Sequence, residues 1–76
     1  MYIVSLCIEN RKEEVYKIQE ILTEYGDSIE TRIGLHSLGK SKQGLILIVY
    51  NNEKNVENFV KKLKKLNNLS INYMKT

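Results

Sequence analysis

Residues 45–50 read LILIVY, and residues 2–8 read YIVSLCI. Both stretches are short, aliphatic and free of charge, a composition that predicts β-strands. A strand that is apolar on both faces is typical of the middle of a sheet, where both faces are covered. The two stretches therefore predict the central strands of one sheet, and the other elements can be placed around them.

Between these strands the sequence predicts a helix followed by a strand. Asn10 is predicted to cap the helix with Glu13 three residues later, and Gly26 to end it in a left-handed conformation. The apolar stripe of the helix is Val15, Ile18, Ile21, Leu22 and Tyr25. Residues 28–36 alternate in polarity, as in a half-buried strand, with Ile29, Thr31, Ile33 and Leu35 on one face.

After LILIVY, the pattern of helix and alternating strand repeats. Asn51 and Asn52 are predicted caps of a second helix, whose apolar stripe is Val56, Phe59, Val60, Leu63 and Leu66. Residues 69–74 alternate again, with Leu69, Ile71 and Tyr73 on one side. The order is βαββαβ over a single domain, residues 1–76, which predicts an α+β, ferredoxin-like fold: a four-stranded antiparallel sheet with two helices on one face.

Two helices can cover only one face of such a sheet. The other face is expected to carry Ile3, Ser5 and Cys7 with one side of the third strand, and the pattern leaves open which side. A chain of 76 residues buries a limited fraction of its surface and gains stability from association. We therefore predict that a second copy covers this face, in a homodimer or homotetramer.

The composition excludes several classes of protein. One Cys and one His cannot make an internal disulfide or supply four zinc ligands, so we assign no metal residue and no cofactor. A metal held between two chains by Cys7 and His36 is the alternative that remains, if both face the same side of the sheet. A free thiol suits a reducing compartment, and no apolar run approaches the length of a membrane span, so we expect a cytoplasmic protein without a membrane partner.

The net charge of +3 is divided unevenly along the chain. Residues 1–38 have four basic against seven acidic residues, whereas residues 39–76 have eight lysines against two acids. The cluster Lys61, Lys62, Lys64 and Lys65 suits the last turns of a helix, and docking of a protein or nucleic acid is the alternative. An RNA-recognition motif has the same element order but needs aromatic residues in the middle of its central strands, and here Tyr2 and Tyr50 are at the strand ends.

Residues 34–41, GLHSLGKS, match the pattern of a phosphate-binding P-loop. A P-loop needs a helix directly after it, and here another strand follows, so a hairpin loop that binds an anion weakly is the alternative. The candidate ligand-binding residues are Arg32, His36, Gly39, Lys40 and Ser41. No nucleophile has a recognisable base partner, so we do not predict an enzyme.

Residues 20–29 (EILTEYGDSI), 32–35 (RIGL) and 45–49 (LILIV) resemble the family of proposed iron-only hydrogenase system regulators. The resemblance implies an ACT-like fold, similar to the ligand-binding domain of the nickel-responsive repressor. It also implies an oligomeric regulatory or sensing module that binds a small molecule or a protein partner at a subunit interface.

The chain departs from these relatives in several places. It lacks the DNA-binding segment and the several His ligands of the nickel repressor, so no metal ligand carries over. The junction at residues 9–12 has no Gly, unlike that of ACT domains that bind amino acids, and His36 stands where relatives are expected to have Pro.

Overall fold

The computed structural model describes residues 1–9, 11–36, 44–66 and 69–76. The order of elements is strand, helix, strand, strand, helix, strand, as the sequence predicted, with one short 3-10 helix added. Strands are β1 (Tyr2–Ile8), β2 (Ile29–His36), β3 (Gly44–Tyr50) and β4 (Leu69–Lys75); helices are α1 (Arg11–Glu24) and α2 (Val56–Lys64), with a 3-10 turn at Gly26–Ser28. The predicted cap Asn10 and the turn at residues 67–68 lie outside the described residues.

All strand pairs are antiparallel, and the sheet order is β2-β3-β1-β4. The two uncharged, aliphatic strands are therefore the central ones, as predicted. Both helices pack on one face, where their apolar stripes bury the even-numbered side chains of the central strands, Val4, Leu6, Ile8, Ile48 and Tyr50. The ferredoxin-like fold is confirmed.

An aromatic cluster holds the two helices to the end of β3. Phe59 of α2 stacks on Tyr50, with ring centroids 4.6 Å apart, and lies 5.3 Å from the ring of Tyr25. Phe59 and Tyr50 are both fully buried. Burying aromatic side chains of this size is among the largest favourable terms available to a small domain.

Two predicted helix boundaries are wrong. Gly26 does not adopt a left-handed conformation but begins the 3-10 turn after α1. The N-cap of α2 is Asn55, not Asn51 or Asn52. Instead, the backbone N–H of Asn51 donates to Ser28 O at 2.8 Å, and Asn52 Oδ1 accepts from the N–H of Lys54 at 3.0 Å in a turn that delays the helix.

A β-bulge shifts the predicted face of one residue in β2. Ile29 pairs with Tyr50 and Thr31 pairs with its neighbour Val49, so Glu30 is the extra residue. Ile29 consequently packs against the helix-covered core, whereas Thr31 and Ile33 lie on the opposite face. The prediction that Ile29, Thr31 and Ile33 share one face is therefore wrong for Ile29.

Candidate functional site

The face of the sheet without helices, called the open face below, is not covered by any other element of the described chain. The register places Ile3 beside Val49, Ser5 beside Leu47 and Cys7 beside Leu45. Strand β2 adds Thr31 and Ile33, and β4 adds Ser70, Asn72 and Met74. The structure thus places Ile3, Ser5 and Cys7 on the face predicted for them, and it assigns to that face the odd-numbered side of β3, which the sequence left open.

Large apolar side chains are exposed on the open face. The exposed fractions are 39% for Ile3, 52% for Ile33, 37% for Leu47 and 61% for Met74. None of the open-face residues just named carries a charge. An exposed apolar patch without charge is the surface expected at a contact with another protein.

The open face is itself divided into an apolar and a polar part. Leu45, Leu47 and Val49 run along β3, with Ile33 beside them on β2. On the other side, Ser5 and Asn72 lie side by side, and Ser5 Oγ donates a long hydrogen bond of 3.4 Å to the backbone oxygen of Asn72. The apolar contact surface is therefore centred on β3, with Ser70 and Asn72 of β4 as a polar margin.

The candidate ligand residues do not gather at one described site. Arg32 lies on the helix-covered side of β2, where its Nη1 donates to Gln19 Oε1 of α1 at 3.2 Å. His36 is the last residue of β2. Gly39, Lys40 and Ser41 lie outside the described residues. Arg32 is thus separated from Ile3, Ser5 and Cys7 by the thickness of the sheet.

A shallow groove of about 400 Å³ runs beside Arg32, between the end of α1 and the edge of β2. Its floor includes Leu22 and Ile29, and its rim includes Thr23, Glu30 and Arg32. The side chain of Glu30 accepts a hydrogen bond from Asn51 Nδ2. The sequence did not predict this groove. The β-bulge directs Ile29 toward the groove, and a bulge cannot be recognised from the alternation of polar and apolar residues.

Cys7 and His36 belong to different rows of the strand register. The backbone of His36 pairs with Gly44, which pairs in turn with Ile8. Cys7 lies one residue away, in a row of the open face. Among the residues that the structure describes, no group of three or more potential ligands is placed to hold a metal ion.

The aromatic residues of the central strands also face the helices. Tyr2 pairs with Tyr50, and Tyr50 is buried against Phe59 on that side. The middle of the open face carries Ser5 and Leu47 instead. The stacking surface that an RNA-recognition motif needs on its open face is therefore replaced by aliphatic and small polar residues.

The lysine cluster lies at the end of α2, where predicted. Lys62 pairs with Glu24 of α1, and its Nζ is 5.6 Å from the centroid of the Tyr25 ring. The hydrogen bond from Lys62 to Glu24 raises the pKa of the Lys62 ammonium. Lys61, Lys64 and Lys65 are exposed, and no described carboxylate lies within ion-pair distance of them.

The segment that matches the P-loop pattern lies between two strands, and most of it is outside the described residues. Gly34 is within β2, and the next described element is β3, which is antiparallel to β2 and adjacent to it. A phosphate-binding loop would lead into a helix. The segment thus connects two strands of a hairpin.

The sequence matches a family profile over residues 1–73, described as TM1266-like, "Iron-only hydrogenase system regulator, putative". The chain belongs to this family. The resemblance carried by residues 20–49 is thereby confirmed, and the family is named for a regulator of a hydrogenase system, not for an enzyme. A comparison with curated proteins found no match.

Solved structures confirm the fold over nearly the whole chain. The uncharacterized protein TM1266 from Thermotoga maritima superposes with a TM-score of 0.85 at 18% identity, covering 96% of this chain and 91% of that one. A "putative antibiotic biosynthesis monooxygenase" from Deinococcus radiodurans gives 0.55 at 16% identity and covers 100% and 92%. A formyltetrahydrofolate deformylase from Pseudomonas putida gives 0.66 at 9% identity, covering 99% of this chain but 28% of that chain.

These similarities are to the fold alone, because all three sequences are less than 25% identical to this chain. In the described part of the chain, no helix is both long enough and apolar enough to cross a membrane.

Proposed function

We propose that this chain is a small regulatory module that works as an oligomer of itself, closed through the open face, and that it responds to a ligand or partner bound at that interface. The observation that carries the proposal is the uncharged, apolar stripe along β3. Leu47 at its centre is 37% exposed and is flanked by Ser5 and Ile33. Covering such a stripe removes apolar surface from water without burying a charge.

A second copy of the chain fits this surface better than a charged partner does. The residues described on the open face carry no charge, whereas both helices, on the opposite side of the sheet, carry several charged residues, so the described parts of two open faces can approach without opposing like charges. Most oligomers of identical chains form through such self-complementary patches.

Charge reversal in the middle of the stripe tests the interface. Leu47→Glu places a carboxylate where the proposal requires apolar contact, and we expect it to reduce the assembly state measured by sedimentation equilibrium at micromolar concentrations. Tyr16→Glu is the matched control, because Tyr16 is 79% exposed on α1, away from the sheet. An unchanged mass distribution for a folded Leu47→Glu variant would contradict the proposal.

The regulatory part of the proposal predicts a bound ligand or partner. Native mass spectrometry of freshly purified protein measures the number of chains and any retained mass together. Ligands that bind the native oligomer raise its melting temperature, because binding adds RT ln(1 + [L]/Kd) to the free energy of unfolding. A panel of metabolites and divalent metals is expected to contain at least one compound with this effect in the wild-type protein and a weaker effect in Leu47→Glu.

Docking of an acidic protein or nucleic acid through α2 is the second candidate function. It is favoured by the exposed lysines Lys61, Lys64 and Lys65, which no described carboxylate neutralises. Reversal of all three charges to Glu would then abolish capture of the partner while leaving the oligomer intact. The same variant is expected to retain any ligand-induced rise in melting temperature if the first proposal is correct.

A further inference from the structure

The two edges of the sheet differ in how they are protected against pairing with another strand. Edge β2 is interrupted by the bulge at Glu30, and its charged residues Glu30 and Arg32 are held by Asn51 and Gln19. Edge β4 has seven residues in unbroken register with β1 and no charge before Lys75. Bulges and charges are the usual protection of an exposed edge, so β4 is the unprotected edge of this sheet.

The backbone of β4 has a definite set of outward-facing groups. The N–H of Thr76 donates to Met1 O at 2.9 Å, so Met1 and Thr76 form a hydrogen-bonded pair. In an antiparallel ladder such pairs alternate with non-hydrogen-bonded pairs, so every second pair between β1 and β4, counted from this one, is hydrogen-bonded. Met74, Asn72 and Ser70 therefore direct their amide and carbonyl groups toward β1. The residues that direct theirs outward are Leu69, Ile71, Tyr73 and Lys75. Among the described residues no hydrogen bond to these outward groups is found.

We infer that β4 pairs antiparallel with β4 of a second copy around a two-fold axis at Asn72, joining two sheets into one of eight strands. This register alone pairs all four outward residues of each copy, Ile71 with the partner copy's position 73 and Leu69 with its position 75. At two bonds per pair, it would form about eight backbone hydrogen bonds. If the two-fold axis lay one residue earlier or later in β4, the outward groups at one end of each β4 strand would have no partner.

The side chains of β4 suit the same register. Ile71 opposite Tyr73 is a β-branched residue against an aromatic one, a favourable cross-strand pair that occurs twice around the axis. It would cover Tyr73, which is 41% exposed in the single chain. The axis also keeps the two Lys75 ammonium groups at opposite ends, each beside its own Glu53 at 3.1 Å.

The lysines of α2 oppose this pairing only weakly. Lys62 faces α1, so Lys64, about 200° further around the helix, lies on the flank above β4. Two such flanks repel each other across the axis. Repulsion between exposed charges is largely screened beyond about 8 Å at physiological ionic strength.

Surface area supports a pairing of this kind, and this step rests on the proposed function. Four strands of seven or eight residues present about 450 Å² of flat area per copy. A protein interface of standard size buries about 800 Å² of accessible surface on each side. Two open faces joined through β4 present about 900 Å², so two edge-paired dimers packed face to face make a tetramer whose interface reaches the usual size.

Two single substitutions separate the edge contact from the face contact. Tyr73→Pro removes an outward amide N–H, a change that an edge strand tolerates because that N–H does not bond to β1. We expect tetramers for the wild type, face-paired dimers for Tyr73→Pro, edge-paired dimers for Leu47→Glu and monomers for the double variant, all measured by sedimentation equilibrium. Tyr73→Ala keeps the N–H and is expected to remain mostly tetrameric.

The outcomes separate the two proposals. A folded Tyr73→Pro protein with the assembly state of the wild type overturns the edge pairing, as does a Leu47→Glu protein that is monomeric. A Leu47→Glu protein that keeps the wild-type state overturns the face contact instead.

A cross-link tests the register without relying on proline. In the proposed pairing, Asn72 faces its own counterpart in a non-hydrogen-bonded pair, where the Cα atoms are about 4.5 Å apart and a disulfide can form. In a Cys7→Ser, Leu47→Glu background, Asn72→Cys is expected to give a covalent dimer on oxidation. Ser70→Cys, which the register places about four residues from its counterpart, is expected to give none. Equal cross-linking of both variants, or of neither, overturns the register.

Discussion

At the scale of single residues, Tyr50 shows how a polar atom is accommodated in this small core. Its ring is fully buried on Phe59, and its hydroxyl donates to Asn55 Oδ1 at 2.6 Å. Asn55 is the N-cap residue of α2, but its side chain makes no capping hydrogen bond to the helix. Its Oδ1 instead accepts the hydrogen bond from Tyr50. Burial raises the pKa of the Tyr50 phenol, against the opposing effect of its hydrogen bond with Ser28.

Tyr50→Phe tests the hydroxyl directly. The variant keeps the ring stack but loses the hydrogen bonds of the hydroxyl with Asn55 and Ser28, whose net value together is about 1–2 kcal/mol. We expect urea denaturation to show a free energy of unfolding lower by about that amount. Tyr16→Phe is the control, since Tyr16 is 79% exposed and should change little. Equal effects of the two substitutions would contradict the assigned role of Tyr50.

Alkaline pH tests the same group through its ionisation. The pKa of Tyr50 in the folded protein is above its ordinary value of 10.0, so folding favours the protonated phenol. Its contribution is fully present below pH 10 and is lost as the pH rises through the folded pKa. The free energy of unfolding should therefore fall above pH 10, less steeply in Tyr50→Phe. Lys62 and Lys75, whose pKa values are raised by Glu24 and Glu53, contribute in the same direction in both proteins.

At the scale of elements, Phe59 joins both helices to β3. Its ring contacts Tyr50 of β3 and Tyr25, the residue that follows α1. Truncation of a buried Phe typically costs about 3–5 kcal/mol because it leaves a cavity. Phe59→Ala should thus remove a large part of the stability of a 76-residue chain, seen as a lower urea midpoint. Asn58→Ala, next to it on the exposed side of α2, is the control.

The elements also show which predictions depended on local pattern alone. The helices and strands follow from periodicity, since Ile18, Leu22, Phe59 and Leu63 are buried at the positions their spacing predicted. The ends of the helices did not follow, because Asn51 and Asn52 were drawn into contacts with Ser28 and Lys54. A capping residue can be recognised only when its competing partners are known.

At the scale of the whole molecule, the proposed interface makes stability depend on protein concentration. If only the folded chain associates, dilution shifts the equilibrium toward dissociated and unfolded chains. We expect the melting temperature of the wild type to rise over a hundred-fold increase in concentration, and that of Leu47→Glu to rise less. Melting temperatures of the wild type that are independent of concentration throughout the micromolar range would contradict the oligomer.

The sequence by itself determined the order of elements, the central position of residues 2–8 and 45–50, and the existence of an apolar face with too few helices to cover it. These follow from hydrophobic periodicity, which is a local property. Only the tertiary structure decided that Leu47 lies on that face, that Ile29 does not, and that His36 and Cys7 belong to different rows of the register. Each of these depends on the strand register, which is set by pairing between separate segments of the chain. A single bulge at Glu30 changes the register of β2 without changing the polarity pattern of its sequence.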